Sequence, residues 1–172
     1  MQESPYLEGR ESLIDKFQRL PFLETLDPKY LRNILKLGKI RKYEAGEVIT
    51  PEGTYDSWVY IILSGAVRVV KQEQEIARLN HVGDTFGELA VIDGQSRSAS
   101  VQALAETVCL AIDASFLDRV TASHERTAFF SVFYRLFAEL VAQRLRLANE
   151  EMVGLREEID RLKHRDTMNQ PS

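Results

Sequence analysis

The sequence predicts a mainly β domain with flanking helices, followed by one long C-terminal helix. Between residues 39 and 113, short β-rich runs alternate with turns that contain glycine. A helix with a strong start signal precedes them at Asp27-Pro28, and no proline lies between residues 117 and 171. The β-rich part therefore fits a sandwich or barrel, and the final third fits a continuous helix.

Residues 1–12 are polar and acidic at their start, so we expect a flexible N-terminal arm. The apolar residues that follow suggest a short amphipathic helix ending near Pro21; these are Leu13, Ile14, Phe17, Leu20 and Phe22. The next helix starts at Asp27-Pro28 and should stop near Gly38.

Seven strands are expected in the domain, whose predicted limits are residues 13–125. They are Ile40–Tyr43, Glu47–Thr50, Trp58–Leu63, Ala66–Lys71, Glu75–Leu79, Ser98–Ala103 and Thr107–Asp113. Tyr55, Trp58 and Tyr60 are interpreted as core residues, because aromatic residues at this density on strands are usually buried.

Composition excludes several function classes. The net charge is −4 and the pI is near 5.5, which disfavours direct DNA binding. Cys109 is the only cysteine and lies in an apolar run, so we expect a buried structural thiol and neither an intrachain disulfide nor an iron–sulfur cluster. No pattern indicates catalytic residues, a metal site, a membrane span or a secretory signal, so we expect a cytoplasmic protein that is not an enzyme.

The run from Asp84 to Val101 combines groups suited to a small anionic, hydroxylated ligand. Gly87 permits close backbone approach, and a short helix starting there would direct N–H groups at an anion. Glu88 offers acceptors for a hydroxyl group, and Arg97, nine residues later, offers a fork of donors for two phosphate oxygens. The alternative is a surface turn with an ordinary Glu88–Arg97 salt bridge.

The pattern Phe-Gly-Glu-Leu-Ala followed by Arg-Ser-Ala-Ser-Val resembles the phosphate-binding cassette of the cyclic nucleotide-binding domain family. The resemblance runs from about Ile14 to Leu162 and is closest to bacterial regulators of the catabolite-activator type. It implies a β-roll (jelly roll), with Glu88 on the ribose 2′-hydroxyl and Arg97 on the cyclic phosphate. The ligand-binding residues that it implies are Phe86, Gly87, Glu88, Leu89, Ala90, Arg97, Ser98, Ala99 and Asn149.

The ligand implied by the resemblance is cyclic AMP or cyclic GMP, with no metal or other cofactor. In catabolite activators a threonine and a serine of the long helix contact the base, and the alignment places Ala148 and Asn149 there. Ala148 has no hydrogen-bonding side chain, whereas Asn149 can donate and accept. Ser98 suits either purine, and we favour cyclic AMP.

The apolar residues of the long helix, predicted over residues 126–166, form a heptad seam. They are Val141, Leu145, Ala148, Met152, Leu155, Ile159 and Leu162, at alternating spacings of four and three. Glu151 and Glu158 fall at g, and Arg156 and Lys163 at e, so opposite charges would meet in a parallel homodimer. A single solvated helix packed on its own domain is the alternative, and residues 167–172 are expected to be a disordered tail.

Catabolite activators carry a helix-turn-helix domain after the long helix, and only Asp166 to Ser172 follow here. We therefore expect a nucleotide sensor that rearranges as a homodimer and signals to a protein partner. Two other hypotheses are a coiled-coil assembly module whose cassette holds no ligand, and the regulatory part of a transcription regulator whose DNA-binding part lies on another chain.

Overall fold

A computed structural model describes residues 1–7, 14–20, 23–24, 26–115 and 124–168. The chain divides into two compact units, residues 1–134 and residues 135–172. The first is a β jelly roll with short helices, and the second is helical throughout its described part, so the predicted fold class is confirmed. The expected start of the long helix near residue 117 and the end of the tail, residues 169–172, lie outside the described residues.

Two short helices, α1 (Ile14–Phe17) and α2 (Pro28–Lys36), precede the jelly roll. A carboxylate oxygen of Asp27 accepts a hydrogen bond from the Lys29 backbone N–H at 2.7 Å, and proline occupies the first turn. The helix buries Leu31, Ile34 and Leu35 along one face and ends before the strand that begins at Gly38. Both predicted limits of this helix are confirmed.

The jelly roll consists of two antiparallel sheets. In strand order, the first sheet is β1 (Gln2–Glu3), β2 (Gly38–Tyr43), β9 (Thr107–Asp113), β4 (Trp58–Ser64) and β7 (Thr85–Phe86). The second sheet is β3 (Val48–Thr50), β8 (Ser100–Ala103), β5 (Val67–Lys71) and β6 (Gln74–Leu79). The seven predicted strands are all present, with ends shifted by at most two residues, and β1 and β7 are additional.

The space between the sheets holds one buried cluster. Its members come from both sheets: Tyr43, Tyr60, Ile62, Val67, Phe86, Val101, Ala103, Cys109 and Ala111. Tyr60 and Phe86 are stacked with ring centroids 4.9 Å apart. Cys109 is fully buried, and burial raises the pKa of its thiol to about 12, which confirms the expected structural thiol.

Residues 1–7, expected to form a loose arm, lie instead along the free edge of β2. Glu3 pairs with Arg41 in the antiparallel ladder, and its carboxylate accepts hydrogen bonds from Lys39 Nζ and Arg41 Nε, each at 2.6 Å. The Lys39 ammonium and the Arg41 guanidinium hold the pKa of Glu3 below its usual range. Leu7 ends the segment as a buried residue. Backbone hydrogen bonds and ion pairs together hold in place a segment whose polar composition predicted a solvent-exposed arm.

The last helix, α4, runs from His124 to Met168. In its second half the residues of the predicted seam face solvent, with Leu145 60%, Met152 45% and Leu155 53% exposed. Ile159 and Leu162 are also exposed. Among the described residues, no helix is both long enough and apolar enough to cross a membrane.

Candidate functional site: the cassette around Gly87

The cassette begins where β7 turns into a third short helix, α3 (Glu88–Asp93). Gly87 makes the turn with φ +85°, in the left-handed region that favours glycine. A Cβ atom there would stand 2.6 Å from Arg97 Nη1 and 2.8 Å from the Trp58 carbonyl oxygen. The predicted helix start at Gly87 is therefore confirmed, and both conformation and space require glycine.

Arg97 is buried beneath this turn, with 4% of its surface exposed. Its Nη1 donates to the Gly87 carbonyl at 2.6 Å, and its Nη2 donates to the Trp58 carbonyl at 2.6 Å. Nε and Nη2 form a fork on the carboxylate of Asp56, the Nε contact being 3.0 Å. These four bonds leave one N–H, on Nη1, without a partner among the described residues.

Glu88 is the second buried charged residue of the cassette, with 1% of its surface exposed. It opens α3 directly after Gly87, and Phe86 on the other side of that glycine is buried against Tyr60. A surface turn with a solvated salt bridge does not describe these residues. Charged side chains are seldom fully buried unless they are paired or hydrogen-bonded, so these two residues make the turn a candidate binding site.

The other predicted cassette residues lie on the same two segments with different exposures. Ala99 is buried, Ala90 is half-buried, Leu89 is 42% exposed and Ser98 is exposed. The segment after α3 is held by backbone bonds from Arg97 N to the Thr54 carbonyl, at 2.8 Å, and from Gly53 N to the Arg97 carbonyl, at 2.9 Å. Asn149 lies exposed on α4, in the second unit of the chain.

Sequence reasoning did not identify Asp56, which precedes the cassette arginine by 41 residues. Asp56 also accepts a hydrogen bond from the backbone N–H of Trp58 at 2.9 Å, so its carboxylate is fixed at the start of β4. An aspartate before a strand usually indicates only a turn. Its role becomes apparent only when the fold brings β4 beside the segment that carries Arg97.

The prediction for the three aromatic residues is confirmed in part. Tyr60 is buried, and Trp58 is half-buried against the core cluster. Tyr55 is 77% exposed and does not belong to the core, because it precedes β4 and lies outside the strand. Among the described residues, no group of histidine, cysteine and carboxylate side chains could hold a metal ion.

Comparison with known proteins identifies the jelly roll. Residues 40–124 match the family model of the cyclic nucleotide-binding domain. With the cassette and the topology described above, this match shows that the chain contains a cyclic nucleotide-binding domain, the regulatory class of domain to which the cassette motif points.

The similar proteins include a kinase, a catabolite activator protein and a cyclic nucleotide-binding protein. A cGMP-dependent protein kinase of Eimeria tenella is 30% identical over 127 residues, which cover 74% of this chain and 12% of the kinase. The catabolite activator protein of Thermus thermophilus is 28% identical, with a TM-score of 0.60 over 79% of this chain and 63% of that one. A putative cyclic nucleotide-binding protein of Geobacter metallireducens has a TM-score of 0.68 at 20% identity, covering 76% and 96%.

The expected closeness to catabolite activators is supported only in part. A catabolite activator is among the structural neighbours, but the sequence relatives include cGMP-dependent protein kinases and regulatory subunits of cAMP-dependent protein kinases. The chain spans only 12% to 14% of the length of the first of these kinases. What the comparisons establish is therefore the domain rather than the activity of a whole protein.

Proposed function

We propose that this chain is a cyclic nucleotide sensor whose cassette binds a cyclic mononucleotide, with cyclic AMP favoured over cyclic GMP. The observation that carries the proposal is that Arg97 and Glu88 are both buried at a glycine turn that has no room for a Cβ atom. A protein retains buried charges where they are paired or where they meet a ligand. Kinase regulatory domains among the relatives support a regulatory role rather than an enzymatic one.

In this proposal Arg97 supplies the positive charge for the cyclic phosphate. Its remaining Nη1 N–H and the first N–H groups of α3 can donate to phosphate oxygens, while Asp56 keeps the guanidinium in one orientation. The Glu88 carboxylate accepts hydrogen bonds from the ribose hydroxyl. Leu89, Ser98 and Ala99 flank the ligand, and Asn149 remains a predicted base contact.

The second part of the proposal is a parallel homodimer formed through the seam of α4. The apolar seam from Leu145 to Leu162 is exposed, and the heptad places acidic g positions opposite basic e positions of a second copy. We propose that nucleotide binding shifts the geometry of this dimer and that a cytoplasmic protein partner reads the change. Direct DNA binding is not part of the proposal.

One other function is favoured by the same helix. The exposed seam would also suit a coiled-coil assembly module whose cassette holds no ligand. Such a coiled coil would form without nucleotide. A regulatory part of a transcription regulator would use the same cassette and differ only in its partner. Nucleotide binding therefore separates the sensor from the assembly module.

The test is titration calorimetry with cyclic AMP and with cyclic GMP. Removing one partner of a buried contact between a guanidinium and a phosphate costs ~2–5 kcal/mol, so Arg97→Ala should weaken nucleotide binding by roughly thirtyfold or more. Arg97→Lys keeps the positive charge but loses the fork of donors, so its nucleotide affinity should lie between those of the wild type and Arg97→Ala. This variant provides a second measurement if the alanine variant does not fold. Arg68→Ala is the matched control, because Arg68 donates to Gln102 on the second sheet.

Wild-type protein that binds neither nucleotide would favour the assembly module. Equal affinities of wild type and a folded Arg97→Ala variant would remove the cassette from the proposed function.

A further inference from the structure

The N-terminal segment, residues 1–7, is bound to the domain as an added edge strand with charged anchors. Ser4 N donates to the Ile40 carbonyl at 2.8 Å, and Leu7 N donates to the Gly38 carbonyl at 3.0 Å. The Ser4 hydroxyl accepts from Ile40 N at 2.9 Å. The segment therefore uses the hydrogen-bonding edge of β2 as a partner strand would.

Within this contact, the Glu3 carboxylate binds the side chain of Arg41. The Arg41 side chain is only 11% exposed; it donates to Glu3 at 2.6 Å and to the Tyr60 hydroxyl at 2.9 Å. Its guanidinium carbon lies 3.7 Å from the centre of the Trp58 ring. Without the Glu3 carboxylate, Arg41 would keep a largely buried charge with no other carboxylate paired to it among the described residues, so it would turn toward water.

The two aromatic residues that Arg41 contacts also support the cassette. The carbonyl of Trp58 accepts from Arg97 Nη2 at 2.6 Å. Tyr60 pairs with Phe86 in the ladder, and their rings are stacked at 9° next to Gly87. A change in the position of Arg41 can therefore reach the cassette by two routes. One passes through Trp58 to Arg97, and the other passes through Tyr60 to Phe86.

We propose that the N-terminal segment regulates the cassette: when it is docked on β2, it preorganises Trp58 and Tyr60 and raises the affinity for the cyclic nucleotide. This inference rests on the proposed nucleotide-binding function. Because coupling between two sites is reciprocal, bound nucleotide must stabilise the docked segment by the same factor. The segment is then a control point at which a competing strand or a modification can lower nucleotide affinity.

Charge reversal at Glu3 tests the coupling in the full chain. Glu3→Lys places a third cation against Lys39 and Arg41 and releases the segment, and we expect nucleotide affinity to fall about five- to tenfold, within the usual range of coupling between sites. Glu106→Lys is the matched control, since it makes the same charge change at another acid that pairs with β2. The Glu106 carboxylate lies 2.7 Å from Nζ of Lys42, the residue after Arg41. The control should bind nucleotide as the wild type does.

Hydrogen exchange supplies a second measurement on the wild-type protein. Saturating nucleotide should slow hydrogen exchange of the Ser4 and Leu7 amides. The factor should equal the factor by which Glu3→Lys lowers nucleotide affinity. If wild type binds nucleotide and Glu3→Lys stays within twofold of the Glu106→Lys control, or if exchange of both amides is unchanged, the coupling does not exist. If wild type binds no nucleotide, the proposed function fails first and the regulation fails with it.

Discussion

Arg97 shows how a single buried charge can organise a site. Its guanidinium meets one carboxylate and two backbone carbonyls, so the cost of removing it from water is offset by four hydrogen bonds. The acceptors come from the loop before β4, from β4 itself and from the glycine turn. Arg97 thus connects separate segments of the jelly roll before any ligand arrives.

Tyr43 is the opposite case, since its buried hydroxyl interacts with the Tyr60 hydroxyl but makes no hydrogen bond of normal geometry to a described residue. Burial raises the pKa of Tyr43, so the hydroxyl stays protonated and keeps a donor without a well-formed hydrogen bond. Tyr43→Phe should therefore leave stability unchanged or raise it by about 1 kcal/mol. Denaturant unfolding measures this difference.

Tyr60→Phe is the matched control for that prediction, because the Tyr60 hydroxyl accepts from Arg41 at 2.9 Å. We expect a loss of about 1–2 kcal/mol there. A loss at Tyr43→Phe as large as at Tyr60→Phe would mean that the Tyr43 hydroxyl forms a stabilising hydrogen bond, either with the Tyr60 hydroxyl or with an ordered water molecule.

The residues of the site divide by how they could be recognised from sequence. Gly87, Glu88 and Arg97 were identified because the cassette is a local pattern, in which each chemical group lies within ten positions of the next. Asp56 was missed because its function depends on a contact 41 residues away. A local motif predicts which groups are present, whereas only the fold shows which of them meet.

At the scale of elements, strands were predictable where they alternate with glycine turns and unpredictable where pairing alone defines them. β1 and β7 have two residues each, too short for any periodicity. Both exist because a longer neighbour, β2 or β4, offers a free edge. The N-terminal segment was expected to be loose for the same reason: its polar residues find their partners only on β2.

Helix α4 contains a weak position at Gly154. Glycine inside a helix costs ~1 kcal/mol relative to alanine, and a Cβ atom at this position would meet no atom within 4 Å apart from the adjacent residues and backbone of its own helix. Gly154→Ala should therefore stabilise the helix by about 1 kcal/mol, which would raise the midpoint of thermal unfolding followed by circular dichroism at the helix band.

Gly87→Ala is the contrasting variant, since that glycine has a positive φ and no space beside Arg97. It should lower the unfolding midpoint. A decrease with Gly154→Ala as well would indicate that a partner helix packs closely against residue 154.

At the scale of the whole molecule, the exposed seam makes the oligomeric state the main prediction. The double variant Glu151→Lys/Glu158→Lys places like charges opposite Arg156 and Lys163 of a parallel partner. Exposed ion pairs contribute ~0.2–1 kcal/mol each. Replacing these attractive pairs by repulsive ones on both sides of the seam should therefore weaken dimer association by at least about tenfold. Sedimentation equilibrium of the wild type and the variant measures this change.

The complementary variant Arg156→Glu/Lys163→Glu provides the control. Each double variant alone should be largely monomeric, and a mixture of the two should form a heterodimer, because opposite charges meet again. Wild-type protein that sediments as a monomer at high concentration, or a mixture that fails to associate, would contradict the parallel seam.

The buried thiol of Cys109 has a practical consequence for such experiments. Only a thiolate reacts rapidly with maleimides or disulfide reagents, and this side chain is fully buried with a pKa of about 12. A cysteine introduced on the outside of α4 should thus be the sole reactive sulfur in the folded chain. Spin labels or fluorophores can then be attached at chosen positions without first replacing the native cysteine.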